Sequence, residues 1–211
     1  MNPIDAITRQ AACDALCAID PALARAYDVI GLPDWRDTEP VYQSLARTIV
    51  YQLISTKAGD AIWGRVQTWA GGDVTHHAIL DAEEDTLRAC GLSGPKIRHM
   101  KSVANAVHTD ALPLAEMHDM NDSDARKCLI AVKGIGPWTA ELFIMCALKR
   151  MDAFPEGDVG LMESLRLLQN AEERLTAKAF LAHADNWRPY RGMAAHLLWG
   201  YINHLRDQNG P

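Results

Sequence analysis

Two stretches of this 211-residue chain carry residue types whose spacing could do chemistry. The first, residues 128–145, reads CLIAVKGIGPWTAELFIM: a helical run, the turn Gly134-Ile135-Gly136, and a second helix opened by Pro137. A helix start presents backbone N–H groups with no partner inside the helix, and glycine allows a ligand to approach the backbone closely. Such a hairpin can grip a phosphate without much side-chain charge. A plain corner between two helices would carry the same glycines. The second stretch, MDAFPEGDVGLMESL, sets Asp158 after a Pro and Gly turn and before an apolar helical pattern. A helix start there stabilises the ionised carboxylate, whether it serves as an N-cap or as a working charge.

Thiol and metal chemistry find less support. Cys13, Cys17, Cys90, Cys128 and Cys146 form an odd set without dense spacing, so no disulfide framework is expected. Cys13 and Cys17 would share a helix face, yet no second pair at ligand spacing completes a site, and they read as small core residues. Among eight histidines, His76 and His77 are adjacent and expected to point apart, while His183, His196 and His204 are scattered. No metal site is expected.

A formal charge of −6 argues against indiscriminate polyanion binding, but the charge is unevenly spread. Residues 1–39 hold seven acids against three bases, and residues 113–124 hold four acids and no base. Residues 126–150 instead hold Arg126, Lys127, Lys133, Lys149 and Arg150 against Glu141, and residues 94–101 hold Lys96, Arg98 and Lys101. These two stretches could form a local basic face. The longest apolar run, residues 142–148, is far short of the roughly 20 residues that cross a bilayer. MNPIDAITRQ has no basic segment followed by an apolar one, so no secretory leader is read. The expectation is an intracellular protein, in the cytoplasm or nucleoid if bacterial, without membrane association.

The elements that must position these groups read as helices throughout. In DTEPVYQSLARTIVYQLIS, Val41, Leu45, Ile49 and Leu53 recur every four residues, with Thr38 or Asp37 as a cap. A second helix carries Ile62, Val66 and Trp69 and ends at Gly71-Gly72. Asp81 could cap a helix ending near Cys90, and GLSGPK leads into one with Ile97, Met100, Ala104 and Val107 on one side. Asp122 or Ser123 could cap the helix before the hairpin. Further helices are expected at about 159–168, from near Thr176, and at about 189–206. No repeat or linker is visible.

The hairpin pattern LIAVKGIGPWTA and the spaced FPEGD together resemble the helix-hairpin-helix DNA glycosylases of base excision repair, the HhH-GPD superfamily. Within them the likeness is to the alkylbase branch, the 3-methyladenine DNA glycosylase II type. It covers about residues 38–201 and recurs in blocks: LARTIVYQLISTKAGDAIWGRV, GLSGPKIRHMKSVANAV and WRPYRGMAAHLLW are similar to family segments in the same order.

The resemblance implies an all-α, two-lobed helix-hairpin-helix DNA glycosylase fold spanning 1–211, with an interior lobe of about 55–155 and a second from about 1–54 and 156–211. It implies that Asp158 is the catalytic carboxylate and that Lys133, Gly134, Ile135, Gly136, Pro137 and Thr139 contact DNA. Trp138, Trp199 and Leu142 would line the substrate pocket, and Leu53 with Gln52 would fill the gap left by an extruded nucleotide. Two positions depart from relatives: Leu53 stands where a second glutamine is usual, and Leu142 follows Glu141 where some relatives carry an aromatic residue. Trp138 replaces the Schiff-base lysine of bifunctional relatives, and the cysteine quartet of an iron-sulfur cluster is missing. The implied activity is monofunctional release of alkylated purines, of the 3-methyladenine and 7-methylguanine type, from duplex DNA. No AP lyase step and no cofactor are implied, beyond a monovalent cation at the hairpin when DNA is bound, and the protein would act as a monomer. A non-catalytic DNA-damage binding module is the alternative, since it would keep hairpin and wedge without needing Asp158. An enzyme acting on oxidised bases or mismatches fits less well with Trp138.

Overall fold

Residues 4–208 are described by the structure, a computed structural model, and every regular element among them is helical. In chain order the α-helices are α1 Ala6–Ile19, α2 Pro21–Ile30, α3 Tyr42–Tyr51, α4 Thr56–Ala70, α5 His76–Asp81 and α6 Glu84–Ala89. They continue with α7 Gly94–His108, α8 Asp122–Ile130, α9 Pro137–Cys146, α10 Val159–Leu168, α11 Ala177–Ala184 and α12 Arg191–Gln208. The extremes of the expected 1–211 unit, residues 1–3 and 209–211, lie outside the described residues. No helix among the described residues is long and apolar enough to cross a membrane.

The chain divides into two units, Thr38–Leu148 on one hand and Met1–Asp37 with Lys149–Pro211 on the other. Both boundaries fall earlier than the expected 54/55 and 155/156, for local reasons. Helix α3 packs on α4, α7 and α9, so it belongs to the interior unit. Residues 149–155 join the chain ends because Lys149 pairs with Asp37, the Met151 carbonyl accepts from Gly192 N–H, and Asp152 pairs with Arg191.

In the interior unit the four-residue spacing of α3 is only half kept. Leu45 and Ile49 are fully buried, but Val41 is the N-cap and Leu53 lies past the helix end, both exposed. Steps of four advance 400° around a helix, so four such positions drift off one face; the stripe that is buried is Tyr42, Leu45, Ala46, Ile49 and Val50. Neither Thr38 nor Asp37 caps this helix, whose N-cap makes no side-chain bond. Asp81 closes α5 instead of opening a helix, and Asn121 rather than Asp122 or Ser123 caps α8. In α4 it is Trp63 with Val66 that is buried, and Gly71 ends the helix in the left-handed conformation. Helix α9 is buried on most sides, from Thr139 to Met145, as the central element its apolar run requires.

The other unit contains α1, which carries the Cys13 and Cys17 expected on one helix face, and α2, together with α10, α11 and α12. Asp20 ends α1, and its carboxylate caps α2 through Ala22 N–H at 2.8 Å, with Pro21 in the first helical position. The same carboxylate accepts from Trp187 Nε1 at 2.8 Å and meets His183 Nε2 at 3.0 Å. Burial would raise its pKa, but the bonds from His183, Trp187 and Ala22 outweigh that and hold it down at about 2. Helix α12 is buried from Arg191 through Trp199 and forms the axis of this unit. All five cysteines are free thiols, and burial pushes the Cys13 thiol up to about 12, out of the reactive range.

Candidate functional site

The hairpin is built as its glycines demand. Gly134 has φ +103°, and a Cβ placed on it would lie 2.5 Å from His99 Cβ and 3.0 Å from its Cα. Only glycine fits both the dihedral and the contact with α7. Ile135 is buried and anchors the turn, and its N–H donates to the Val132 carbonyl at 3.1 Å. Gly136 is the N-cap of α9 and offers no side chain to its first turn, while Pro137 begins the helix. The N-cap of this ten-residue helix thus makes no side-chain hydrogen bond to its first turn, the arrangement in which backbone amides can serve an anion.

Gln52 holds this hairpin from the end of α3. Its Nε2 donates to the Thr139 hydroxyl at 2.9 Å and to the Gly134 carbonyl at 3.3 Å. The sequence reading placed Gln52 beside Leu53 as gap filler; the structure brings its amide to the hairpin instead. Leu53 itself is fully exposed, with φ +59°. A leucine in the left-handed region costs on the order of 1 kcal/mol and loses burial as well. Neither burial nor backbone preference favours that placement. Ser55, two residues on, starts α4 by accepting from Ala58 N–H at 3.3 Å.

Trp138 and Leu142 are both half-buried and lie one turn apart on α9, so the expected pocket residues of this unit share a helix face. The expected basic face is largely spent inside the protein. Lys96 donates to the Val50 carbonyl at the end of α3, Lys101 to the Leu80 and Ala82 carbonyls, and Arg126 pairs with Glu141. Lys127 pairs with Asp124, while Lys133 at the hairpin and Arg98, next to the His99 that packs on Gly134, are both exposed to solvent.

In the other unit, Asp158 is the N-cap of α10. Its Oδ1 accepts from Leu161 N–H at 3.0 Å, and its own N–H donates to the Pro155 carbonyl at 3.0 Å, which closes the PEGD turn. The carboxylate is partly exposed and is oriented by the helix start. A Cβ at Gly160 would stand 3.1 Å from Asp158 Oδ1, closer than ordinary contact, so a side chain at 160 would press on the carboxylate.

Trp199, on α12 of the same unit, is buried, with His196 against it edge-on at 5.6 Å. The Arg36 guanidinium lies over the Trp199 ring, 4.2 Å from its centre, so this ring already holds a cation on its face. The Arg36 backbone N–H donates to His196 Nε2 at 2.9 Å, and His196 Nδ1 faces the Gly192 carbonyl at 2.7 Å. Burial pushes the His196 pKa down to about 4 against the raising effect of the Gly192 bond. Sequence reasoning missed Arg36, His99 and His196, because each works through a neighbour remote along the chain. Only the glycine at 134 hinted that something must lie close.

One expectation is corrected. His76 and His77 do not point apart: their ring centres are 4.0 Å apart, and the ligand nitrogens of His76, His77 and His108 all lie within 4.8 Å of one another. At the start of α5 the two side chains can lean the same way, toward the end of α7.

A glycine hairpin between two helices, followed along the chain by a carboxylate capping a third, is the arrangement of a helix-hairpin-helix DNA repair protein. Residues 46–189 match the HhH-GPD superfamily of base excision DNA repair proteins, and the chain belongs to that family. The DNA-3-methyladenine glycosylase 1 of Schizosaccharomyces pombe is 31% identical over 173 residues, covering 81% of this chain and 75% of that protein. Among solved structures, the S. pombe 3-methyladenine DNA glycosylase Mag1 in complex with abasic DNA superimposes with a TM-score of 0.84 at 30% identity, over 89% of this chain and 94% of that one. A Bacillus halodurans DNA-3-methyladenine glycosidase gives 0.76 at 31% identity, over 93% and 91%.

Proposed function

We propose that the chain is a monofunctional DNA glycosylase that hydrolyses the N-glycosyl bond of alkylated purines in duplex DNA. The observation that carries this reading is the likeness, over most of the chain, to proteins named as DNA-3-methyladenine glycosylases. The interior unit supplies the grip and the wedge. Backbone amides of the hairpin hold a phosphate, and Leu53 fills the gap in the duplex when the damaged nucleotide is extruded. Gln52 ties the wedge loop to the hairpin, so the two act in register. Trp138, half-buried on α9, offers an electron-rich face, which suits electron-poor alkylated purines.

Alkylation makes the base a good leaving group, so departure needs no strong general acid. The sugar becomes cationic as the bond breaks, and the Asp158 carboxylate stabilises that charge and orients the attacking water. A Schiff base would need an amine at the sugar carbon, and the corresponding position holds Trp138, so no strand cleavage follows. A monovalent cation fits at the hairpin when DNA is bound. The Val132 and Gly134 carbonyls accept from Ile135 N–H and Gln52 and each keep one lone pair, hard oxygen donors that would set positive charge beside a phosphate. The protein is expected to act as a monomer. Chromatography of bases freed from methylated DNA tests the reading: release of 3-methyladenine and 7-methylguanine is expected. Release of oxidised bases with no alkylated purine would overturn it.

A further inference from the structure

Three imidazoles meet on the interior unit, away in sequence from hairpin and wedge. His76 and His77 open α5 and His108 is the last residue of α7. Their ring centres are separated by 4.0, 5.3 and 6.1 Å, and one ligand nitrogen from each lies within 4.8 Å of the other two. We propose that His76, His77 and His108 form a binding site for a late first-row divalent cation, with Zn2+ as the expected occupant and water or an added ligand in the fourth position.

The donor set favours such a metal. Imidazole nitrogen suits Zn2+, Ni2+ and Cu2+ and is a poor ligand for Mg2+ or Ca2+. Metal–nitrogen bonds of about 2.0–2.1 Å in a tetrahedral site put ligand atoms roughly 3.3 Å apart. The three nitrogens therefore need to close by at most about 1.5 Å, which side-chain torsions can supply, since His77 and His108 are exposed and His76 partly so.

The backbones beneath them are fixed. Thr75 caps α5 by accepting from Ala78 N–H at 3.1 Å, and the Lys101 ammonium of α7 donates to the Leu80 and Ala82 carbonyls at the far end of α5. The Tyr42 ring stands edge-on to His76 at 6.3 Å and limits where that imidazole can turn. His108 adds the carbonyl end of a 15-residue helix, which favours a positive charge at that spot. A bound ion would clamp α5 to α7.

The test is titration of the untagged full-length protein with Co2+ as an optical probe and with Zn2+ in competition. One equivalent should bind with tetrahedral d–d absorption and no thiolate charge-transfer band, and the ring protons of these three histidines should shift in NMR spectra. His77→Ala and His108→Ala should each weaken binding at least 10-fold. Zn2+ should raise the melting temperature of the wild type and not of the double variant, whose melting temperature without metal reports whether it still folds. Unchanged affinity in the folded double variant, a thiolate band, or no binding at 1 mM metal would overturn the proposal.

Discussion

Replacing Gly134 by alanine strikes the hairpin at the point where its geometry leaves least room. Two costs can be worked from the structure. At φ +103° a side chain is strained by about 1–3 kcal/mol, and the added Cβ would stand 2.5 Å from His99 Cβ, an overlap of the kind that costs about 1–3 kcal/mol in packed sites. The turn can escape part of this by lifting off α7, so the net loss of stability should be about 2–3 kcal/mol, a fall of roughly 5–10 °C in melting temperature for a chain of this size. Lifting the turn also pulls the Gly134 carbonyl from Gln52 and misaligns the start of α9, so DNA affinity should drop at least about 10-fold. Gly136→Ala is the companion measurement. Its φ is −88° and nothing lies within 4 Å of an added Cβ, so melting should change little while the new methyl obstructs a phosphate. Thermal unfolding and fluorescence anisotropy with duplex DNA provide both numbers. A Gly134→Ala protein with wild-type melting and wild-type affinity would refute the reasoning about the hairpin.

Leu53→Ala should leave melting unchanged and slow excision of paired lesions more than of mismatched ones, where extrusion costs less; equal losses in single-turnover assays on both would contradict the wedge. Gln52→Ala should weaken DNA binding about 3- to 10-fold by loosening the hairpin, measured by the same anisotropy titration. Acid unfolding should show the buried His196. Its pKa lies near 4 in the folded chain against 6.5 ordinarily, so the folded state binds fewer protons, and its contribution, about 3 kcal/mol, is present above pH 6.5 and lost as pH falls toward 4. In His196→Gln that segment of the stability–pH curve should flatten. Borohydride added during turnover should trap no covalent protein–DNA adduct, and a trapped adduct would mean that a lysine such as Lys133 reaches the sugar.

Much of this was legible in the sequence where the signal is local. The starts of α10 and α9 follow from Asp158 and Pro137, because a cap and a first-turn proline act within one turn. The Gly134-Ile135-Gly136 turn was readable for the same reason. What was hidden depends on partners distant along the chain. Nothing near Gln52 says that its amide meets Thr139, nothing near Gly134 names His99, and Arg36 lies 163 positions before the Trp199 ring it covers. The basic stretches misled because a charge count does not tell that Lys96 and Lys101 turn inward to cap helix ends. His76 and His77 were judged by their adjacency alone, and the third imidazole that draws attention to them comes from another helix.

Asp158 is proposed to supply the charge that stabilises the sugar as the base departs, and Asp158→Asn tests this most directly. The amide keeps the shape and an oxygen to accept from Leu161 N–H, so the start of α10 stays capped and the variant should fold. Removing charge stabilisation from a transition state is worth several kcal/mol, so single-turnover release of 3-methyladenine should slow at least about 100-fold while lesion DNA is still bound. A folded variant that excises at nearly the wild-type rate would reduce Asp158 to a helix cap and contradict the account.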